Sequence, residues 1–408
     1  MPCAPAAPRA SLAAVQQPKS LADDPERPPL AGRRLRVAAL LPGDDFPGPA
    51  GQVASTAEEL ARRGVDLEFV LLRRPSDAAG RLPSFLERRN LTYHVLEDRG
   101  PLDVSLLVRV RRLLRGRRPQ ILETHGYKPT AIALLLKRLG PDWRWIGFFH
   151  GLTSESVRAR AYHRMDLWML SHADRAAAPS EEQRRHLARW SPDAHVIHSA
   201  VTTLDVVAAP DAARMLSRVE RAARPRIAVI GRLSPEKGAD LFVRAAALLQ
   251  ARNVPFSAFL AGDGPERPGL EALAASLGVG DRVQFLGHVA DIAELYDHIE
   301  LLVIPSRSEG LPSVLLEALA ADVPVVATRV GAIPEVLRTP GAGVLVTPGS
   351  PDALADGVVA ALSSRDDPAA SAARAAAARA FSQERRADAL LALYRDVLTR
   401  RGRAEARP

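Results

Sequence analysis

The sequence predicts two successive doubly wound α/β domains. Three observations carry this. The chain has 408 residues, more than one ordinary domain of roughly 100 to 200 residues, and 47% of them are hydrophobic, ample for two cores. Short apolar runs without polar alternation, the pattern of parallel strands covered on both faces, alternate with amphipathic stretches. That pattern stops at a polar segment near the middle and then restarts.

Residues 1–32 are rich in Ala, Pro and Arg without helical or strand periodicity, and are expected to be a disordered tail. They lack the apolar core of a signal peptide, and no run in the chain approaches the ~18 apolar residues that cross a bilayer. The first domain is expected over 33–205. Its strands read "RLRVAALLPG", "DLEFVLLRR", "QILETHG" and "RWIGFFHG", and "QVASTAEELARRG" is a helix with Val53, Ala57 and Leu60 on one face. Residues 206–224 read as a polar linker and hinge. Over 225–380 the strands are "RIAVIGRL", "FSAFLAGDG", "VQFLGHV", "LLVIPS", "PVVAT" and "GVLVTP". In the final segment, 381–408, Leu390, Leu391, Tyr394 and Leu398 form an apolar stripe that must pack on something.

The 55 Lys and Arg against 47 Asp and Glu leave a net charge of +8, which suits an anionic partner. Nucleic acid is not expected, because the basic residues are dispersed and only 5% of residues are aromatic, with no stacking platform. The single cysteine, Cys3, permits no intramolecular disulfide, so a reducing cytoplasm is the expected compartment. In "RVRRLLRGRRP", Arg109 to Pro119, the arginines are most simply the solvated side of a helix that buries Leu106, Val110, Leu113 and Leu114. Peripheral contact with an anionic membrane is the alternative kept open.

Ligands of doubly wound sheets bind beyond the carboxyl ends of the strands. "GRLSPEKG", Gly231 to Gly238, leaves such a strand and puts Arg232 and Lys237 at one rim, a fork and a point charge for a diphosphate. "SRSEGLPSVLLEALAADVPVVAT" follows another strand and spaces Glu309 and Glu317 by eight positions. Pro312 is expected to open the helix, with Glu309 on the turn and Glu317 leaning back toward it. Two carboxylates around a helix N-terminus suit a nucleotide sugar: one for sugar hydroxyls, one for a ribose, and free N–H groups for phosphate. Taken alone, Glu309 is a charge favoured at a helix start and Glu317 an ordinary helical glutamate.

The series "GRLSPEKG", "AGDGP" (Ala261 to Pro265), "SEGLPSVLLEALAADVPVVAT" and "GAIPEV", in this order on successive strands, resembles the carboxyl-terminal half of family 4 glycosyltransferases. The resemblance extends over nearly all of 34–400 and is stronger in the second domain. It implies the GT-B fold, two Rossmann-like domains with an inter-domain cleft and a last helix crossing back to the first domain. It also implies retaining transfer of a sugar from a nucleotide donor, with no cofactor and no metal. The chain has no Asp-x-Asp motif. Under the resemblance Arg232 and Lys237 stabilise the leaving diphosphate, Glu309 binds the donor sugar and Glu317 the ribose. The backbone at Gly310 and Leu311 holds phosphate, and the glycine turns at Gly231 and Gly262 belong to the same donor site.

On the acceptor side, "FFHG" puts His150 at a strand end, where the family's matching histidine contacts the donor sugar. "ETHGYKP" puts His125 at the end of the preceding strand as a candidate acceptor residue, ranked below His150. Relatives carry a Gly pair after the first strand, whereas here Gly51 alone occupies that turn. "VIHSAV" stands where they often read Pro-Asn-Gly. The expected partners are a nucleotide-sugar donor, with uridine diphosphate favoured and guanosine diphosphate second, and a glycan or lipid-linked acceptor. A GT-B epimerase or phosphorylase and a non-enzymatic scaffold are the competing readings.

Overall fold

The computed structural model describes residues 34–43, 49–75, 81–100, 103–150, 157–201, 212–289 and 292–405. They form two compact units, 34–201 with 382–405 and 212–381. The first 32 residues lie outside the described set.

In the first unit β1 (Leu35–Pro42), α1 (Pro49–Arg62), β2 (Val65–Arg73), α2 (Arg81–Arg88) and β3 (Tyr93–Glu97) come first. Then follow α3 (Val104–Arg117), β4 (Ile121–His125), α4 (Tyr127–Lys137), β5 (Arg144–Phe148) and α5 (Val157–Leu170). The run ends with β6 (Arg175–Ala178), α6 (Glu181–Ala188) and β7 (His195–Val196). The second unit opens with α7 (Ala212–Arg221), β8 (Arg226–Ile230), α8 (Ala239–Ala251), β9 (Ser257–Ala261), α9 (Arg267–Ser276) and β10 (Val283–Gly287). It continues through α10 (Ile292–Tyr296), β11 (Leu301–Ile304), α11 (Ser313–Ala320), β12 (Val325–Thr328) and α12 (Ile333–Val336). Strand β13 (Val344–Val346), α13 (Pro351–Ser363) and α14 (Pro368–Ala380) close it, and α15 (Gln383–Glu405) belongs to the first unit.

Both sheets are parallel. Their strand orders are β3-β2-β1-β4-β5-β6-β7 and β10-β9-β8-β11-β12-β13. Strand order therefore reverses between β1 and β4 in one and between β8 and β11 in the other, and such switch points are where doubly wound sheets open a crevice for ligands.

The apolar runs become strands because helices seal both sheet faces. On one face of the first sheet the predicted stripe of α1, Val53, Ala57 and Leu60, is buried together with Phe85 of α2 and Leu390, Leu391 and Tyr394 of α15. Each fully buried side chain of this size contributes about 1.5–3 kcal/mol, which is why α15 holds to this unit, against α1. On the other face lie α3, α4 and α5. Helix α3 starts where Asp103 accepts a hydrogen bond from the Leu106 N–H, and buries Leu106, Val110 and Leu114.

Two expectations need correction. The stretch 206–224 is not wholly a linker. Residues 206–211 lie outside the described set, and most of the remainder is α7, which buries Leu216 and Val219, one turn apart. Strands β3, β6 and β7 carried too little apolar signal to be read: "YHVLE" is polar-flecked, "RAAA" is four residues and β7 only two.

Candidate functional site

The β8/β11 switch point is built from backbone first. Strand β8 delivers the chain to Gly231, whose N–H donates to the Ala261 carbonyl at 2.9 Å. At Gly262 φ is +148°, and a Cβ there would lie 1.8 Å from the Gly231 carbonyl oxygen, so only glycine lets these two strand ends meet. Leu233 N–H then donates to the Asp263 carbonyl at 3.0 Å. That fixes the loop ending in a single 3-10 turn, Pro235–Lys237.

The turn aims Lys237 across the switch point. Its Nζ donates to both carboxylate oxygens of Glu309, at 2.8 and 2.9 Å, and the Ser306 hydroxyl donates to Glu309 Oε1 at 2.7 Å. The Glu309 side chain is 7% exposed, and an ionised carboxylate is tolerable there because a cation and a hydroxyl hold it. Arg307 pins the loop from outside. Its guanidinium makes two 2.7 Å bonds to Asp240 and one of 2.9 Å to the Pro235 carbonyl. Arg232 lines the same recess with Lys237, Ser306, Glu309 and Val314. Its side chain is exposed and makes no hydrogen bond or ion pair among the described residues, though its charge helps lower the pKa of Glu236.

Gly310 and Leu311 continue this loop. The Gly310 carbonyl accepts from the Ala332 N–H at 2.9 Å. Gly331, at φ +55°, passes so close behind that a Cβ would meet the Glu309 carbonyl oxygen at 2.2 Å. Pro312 is not the first helical residue as expected. At φ −70°, ψ 125° it is the extended residue before α11 and offers no side-chain cap, so first-turn N–H groups of α11 keep their capacity for an anion.

Glu317 does not join the Lys237–Glu309 pair. Its Oε2 accepts from the Tyr296 hydroxyl at 3.0 Å, and Ser313 also hydrogen-bonds the carboxylate. Burial raises the pKa of Glu317, while the bonds from Tyr296 and Ser313 pull against that rise.

In the first unit the parallel register places His125 beside Phe148 at adjacent strand ends, and the two rings stack at 4.6 Å between centroids. His125 Nδ1 and His150 Nε2 are 3.0 Å apart. Desolvation lowers the pKa of both, His150 well below the ordinary value, so both are neutral near pH 7 and one ring donates while the other accepts. Behind them His125 Nε2 faces Glu123 Oε2 at 3.7 Å, and Glu123 Oε1 accepts from the Tyr394 hydroxyl at 2.8 Å. Arg386, itself buried, donates to Thr56 Oγ1 at 3.1 Å and to the carbonyls of Ile197 and His198 at 3.3 and 2.5 Å.

Two further expectations change here. His125 is 1% exposed, so it cannot present itself to an acceptor; what it meets is His150, through Nδ1. Gly51 does not occupy a turn but lies buried in the first turn of α1. The next residue, Gln52, exchanges two hydrogen bonds with the Ala200 backbone, at 3.1 and 2.8 Å, tying the helix start to the "VIHSAV" loop.

Several residues escaped the sequence reading. Tyr296, Tyr394 and Arg386 meet their partners across 21 to 330 positions with no local pattern. Glu123 was visible in principle: a carboxylate inside an apolar strand, two positions before His125 and so on the same face. Among the described residues no group of three or more His, Cys, Asp and Glu has the arrangement of a metal site, and no helix is long and apolar enough to cross a membrane.

Comparison with known proteins places this geometry. The architecture is that of the GT-B glycosyltransferases. A glycosyltransferase from Rickettsia africae ESF-5 superposes with a TM-score of 0.73 at 18% identity, covering 90% of this chain and 99% of that one. Anabaena Alr3699/HepE, in complex with UDP, does so with a TM-score of 0.72 at 21% identity over 88% and 99%. The family model described as Glycosyltransferase Family 4 matches residues 48–203 and that described as Glycosyl transferases group 1 matches residues 217–379. The chain belongs to the family 4 glycosyltransferases. The D-inositol 3-phosphate glycosyltransferase of Mycobacterium avium (strain 104) is 38% identical over 177 residues, 42% of each chain. The chain spans about half or less of the length of the curated relatives it matches.

Proposed function

We propose that the protein is a retaining, metal-independent glycosyltransferase. It moves a sugar from a nucleoside diphosphate, uridine diphosphate by preference, to a growing polysaccharide or lipid-linked glycan of the cell envelope. The observation that carries this reading is the Lys237–Glu309 pair at the β8/β11 switch point, with Arg232 beside it. An ammonium and a carboxylate that hold each other are suited to exchange partners: Lys237 for the diphosphate, Glu309 for sugar hydroxyls. As the bond from the anomeric carbon to the diphosphate breaks, its electron pair stays on the phosphate oxygen. Arg232, Lys237 and the α11 N-terminus meet the growing charge. Preorganised stabilisation of this kind is worth about 3 to 4 kcal/mol per donor.

Glu317, held by Tyr296, is the ribose carboxylate, and Gly231, Gly262, Gly310 and Leu311 shape the phosphate loops. His150 is assigned to sugar recognition on the family resemblance. Cytoplasmic location, with peripheral contact at an anionic membrane face, suits a lipid-linked acceptor. The UDP complex of the Anabaena protein supports the choice of nucleotide.

Thermal-shift titrations with uridine, guanosine and adenosine diphosphates, with and without EDTA, test the reading. Selective stabilisation by one nucleotide, indifferent to EDTA and weakened roughly ten- to hundredfold in affinity by Lys237→Ala, is the expected result, the magnitude being that of hydrogen bonds to a charged group. Equal indifference of the wild type and Lys237→Ala to every nucleotide would favour a scaffold on this fold.

A further inference from the structure

One helical layer of the first unit, α3–α4–α5, is packed on its sheet side and unusually apolar on its outer side. Inwardly it forms one core with the sheet, through Val110, Ile132, Trp145 and Met169 among others. Outwardly it holds eight of the eleven large hydrophobic side chains that are exposed among the described residues. On α4 and just past its end, Tyr127, Leu135 and Leu139 are 55%, 49% and 51% exposed. On α5, Tyr162, Met165 and Trp168 are 42%, 42% and 44% exposed.

These two ridges run side by side. The rings of Tyr127 and Tyr162 lie 5.6 Å apart at one end, and Lys137 Nζ donates to the His172 carbonyl at 2.8 Å at the other. Val104 and Val108 extend the apolar exposure onto α3. Isolated exposed apolar residues are ordinary, but aromatic and aliphatic side chains gathered on adjacent helices mark an interaction surface.

Charge identifies the partner. The described side chains of the three helices include five arginines on α3, two lysines on α4 and Arg164 on α5, against a single carboxylic acid, Asp166; Arg109, Arg117, Lys128 and Lys137 are paired with Asp103, Glu68, Asp98 and Asp174 of neighbouring segments. Arg112, Arg115 and Arg164 are exposed and have no ion-pair partner among the described residues. A surface of cations interleaved with Tyr, Trp, Leu and Met fits an anionic lipid interface, where aromatic rings settle at headgroup level and cations pair with phosphates.

We infer that the outer side of α3–α4–α5 is a docking face for a bilayer containing anionic phospholipid. This assigns the proposed peripheral membrane contact to a definite surface, with apolar insertion from α4 and α5 added to the arginines of α3.

The test is co-sedimentation of the full chain with phosphatidylcholine vesicles with and without phosphatidylglycerol, at low and high salt. It compares the wild type with Leu135→Ser/Met165→Ser and Arg112→Glu/Arg115→Glu. All four positions are at the surface, and melting temperature and nucleotide-induced shift are recorded on the same samples. The expected result is partition onto phosphatidylglycerol vesicles alone, weakened roughly tenfold or more by each double variant, with folding and nucleotide response unchanged. Wild-type protein that stays in the supernatant, or variants that partition like the wild type, would overturn the inference. So would a wild-type dimer that Leu135→Ser/Met165→Ser converts to monomer without vesicle binding, since a second copy would then own the face. Vesicle binding without any nucleotide response would instead sink the glycosyltransferase reading and leave the docking face standing.

Discussion

The two strand-end clusters use similar residue types in opposite ways. At β8/β11 a cation and a carboxylate grip each other over a recess, with a second cation, Arg232, exposed beside them. At the ends of β4 and β5 the ionisable groups are sealed: Glu123, His125 and Arg386 are 2%, 1% and 6% exposed, and Tyr394 is fully buried. In the first arrangement Glu309 is nearly as buried as Arg386, but its partner Lys237 is 32% exposed, so the cation is open to solvent. The second resists change, because a buried group that loses its partner pays the full cost of desolvation. In the second unit cations reach the surface of a recess, whereas in the first the ionisable groups are buried around a desolvated His150.

The sharpest way to break this contrast is Arg386→Met. The substitution strips the hydrogen bonds to Thr56, Ile197 and His198 and leaves Glu123 without its nearby buried cation. Loss of about 3 to 5 kcal/mol of stability is expected, the range for breaking a buried charged network, measured by urea denaturation. Nucleotide response should survive in whatever protein remains folded. A loss below about 1 kcal/mol, the ordinary cost of one hydrogen bond, would mean the cluster is not sealed.

Asp166 probes the same unit with the opposite chemistry. Burial with no hydrogen-bond partner for Oδ1 pushes its pKa up to about 7. Below the ordinary carboxylate pKa it is neutral folded and unfolded, so it costs nothing. As pH rises toward 7 the unfolded chain ionises first and stability is lost. Asp166→Asn should therefore stabilise at pH 8 by no more than about 4 kcal/mol and change little at pH 4. Equal effects at both values would show that the site is solvated.

The histidines carry the reverse sign. Their folded pKa values are depressed by desolvation, so their contribution is present above the ordinary histidine pKa and lost as pH falls below it. Denaturation midpoints at pH 7.5, 6.5 and 5.5 should fall less steeply for His150→Gln than for the wild type. Parallel slopes would argue that His150 is not desolvated.

How much of this was legible follows from the range of the interactions. All six strands of the second sheet announced themselves as continuous apolar runs, and Lys237 and Glu309 sat in short motifs at strand ends, where topology directs ligands. The fold of Pro312 was misread by one position because proline suits both the first helical residue and the extended residue before it. Helix α7 hid in a polar stretch because only Leu216 and Val219 mark its buried side. The ties of Arg386 and Tyr394 were not legible at all, since α15 returns to the first unit from the far end of the chain. Sequence periodicity reports which face of an element is apolar, not which distant polar atom will meet it.

The smallest predicted effect is the most specific. Tyr296→Phe removes one hydroxyl, the donor to Glu317 Oε2, and should cost about 1 kcal/mol of stability. Its distinctive consequence lies in pH. Burial already raises the Glu317 pKa, and the Tyr296 hydrogen bond is the first of the interactions holding it down. Without that bond the carboxyl stays protonated to higher pH, so a ribose that needs the ionised form as acceptor binds less well at the acidic end of the range. The pH at which uridine diphosphate binding reaches half its maximum should shift upward in Tyr296→Phe, with affinity recovering at alkaline pH. A uniform loss across all pH values would show that Tyr296 packs against the site rather than tuning Glu317, and an unchanged profile would remove Glu317 from the nucleotide altogether.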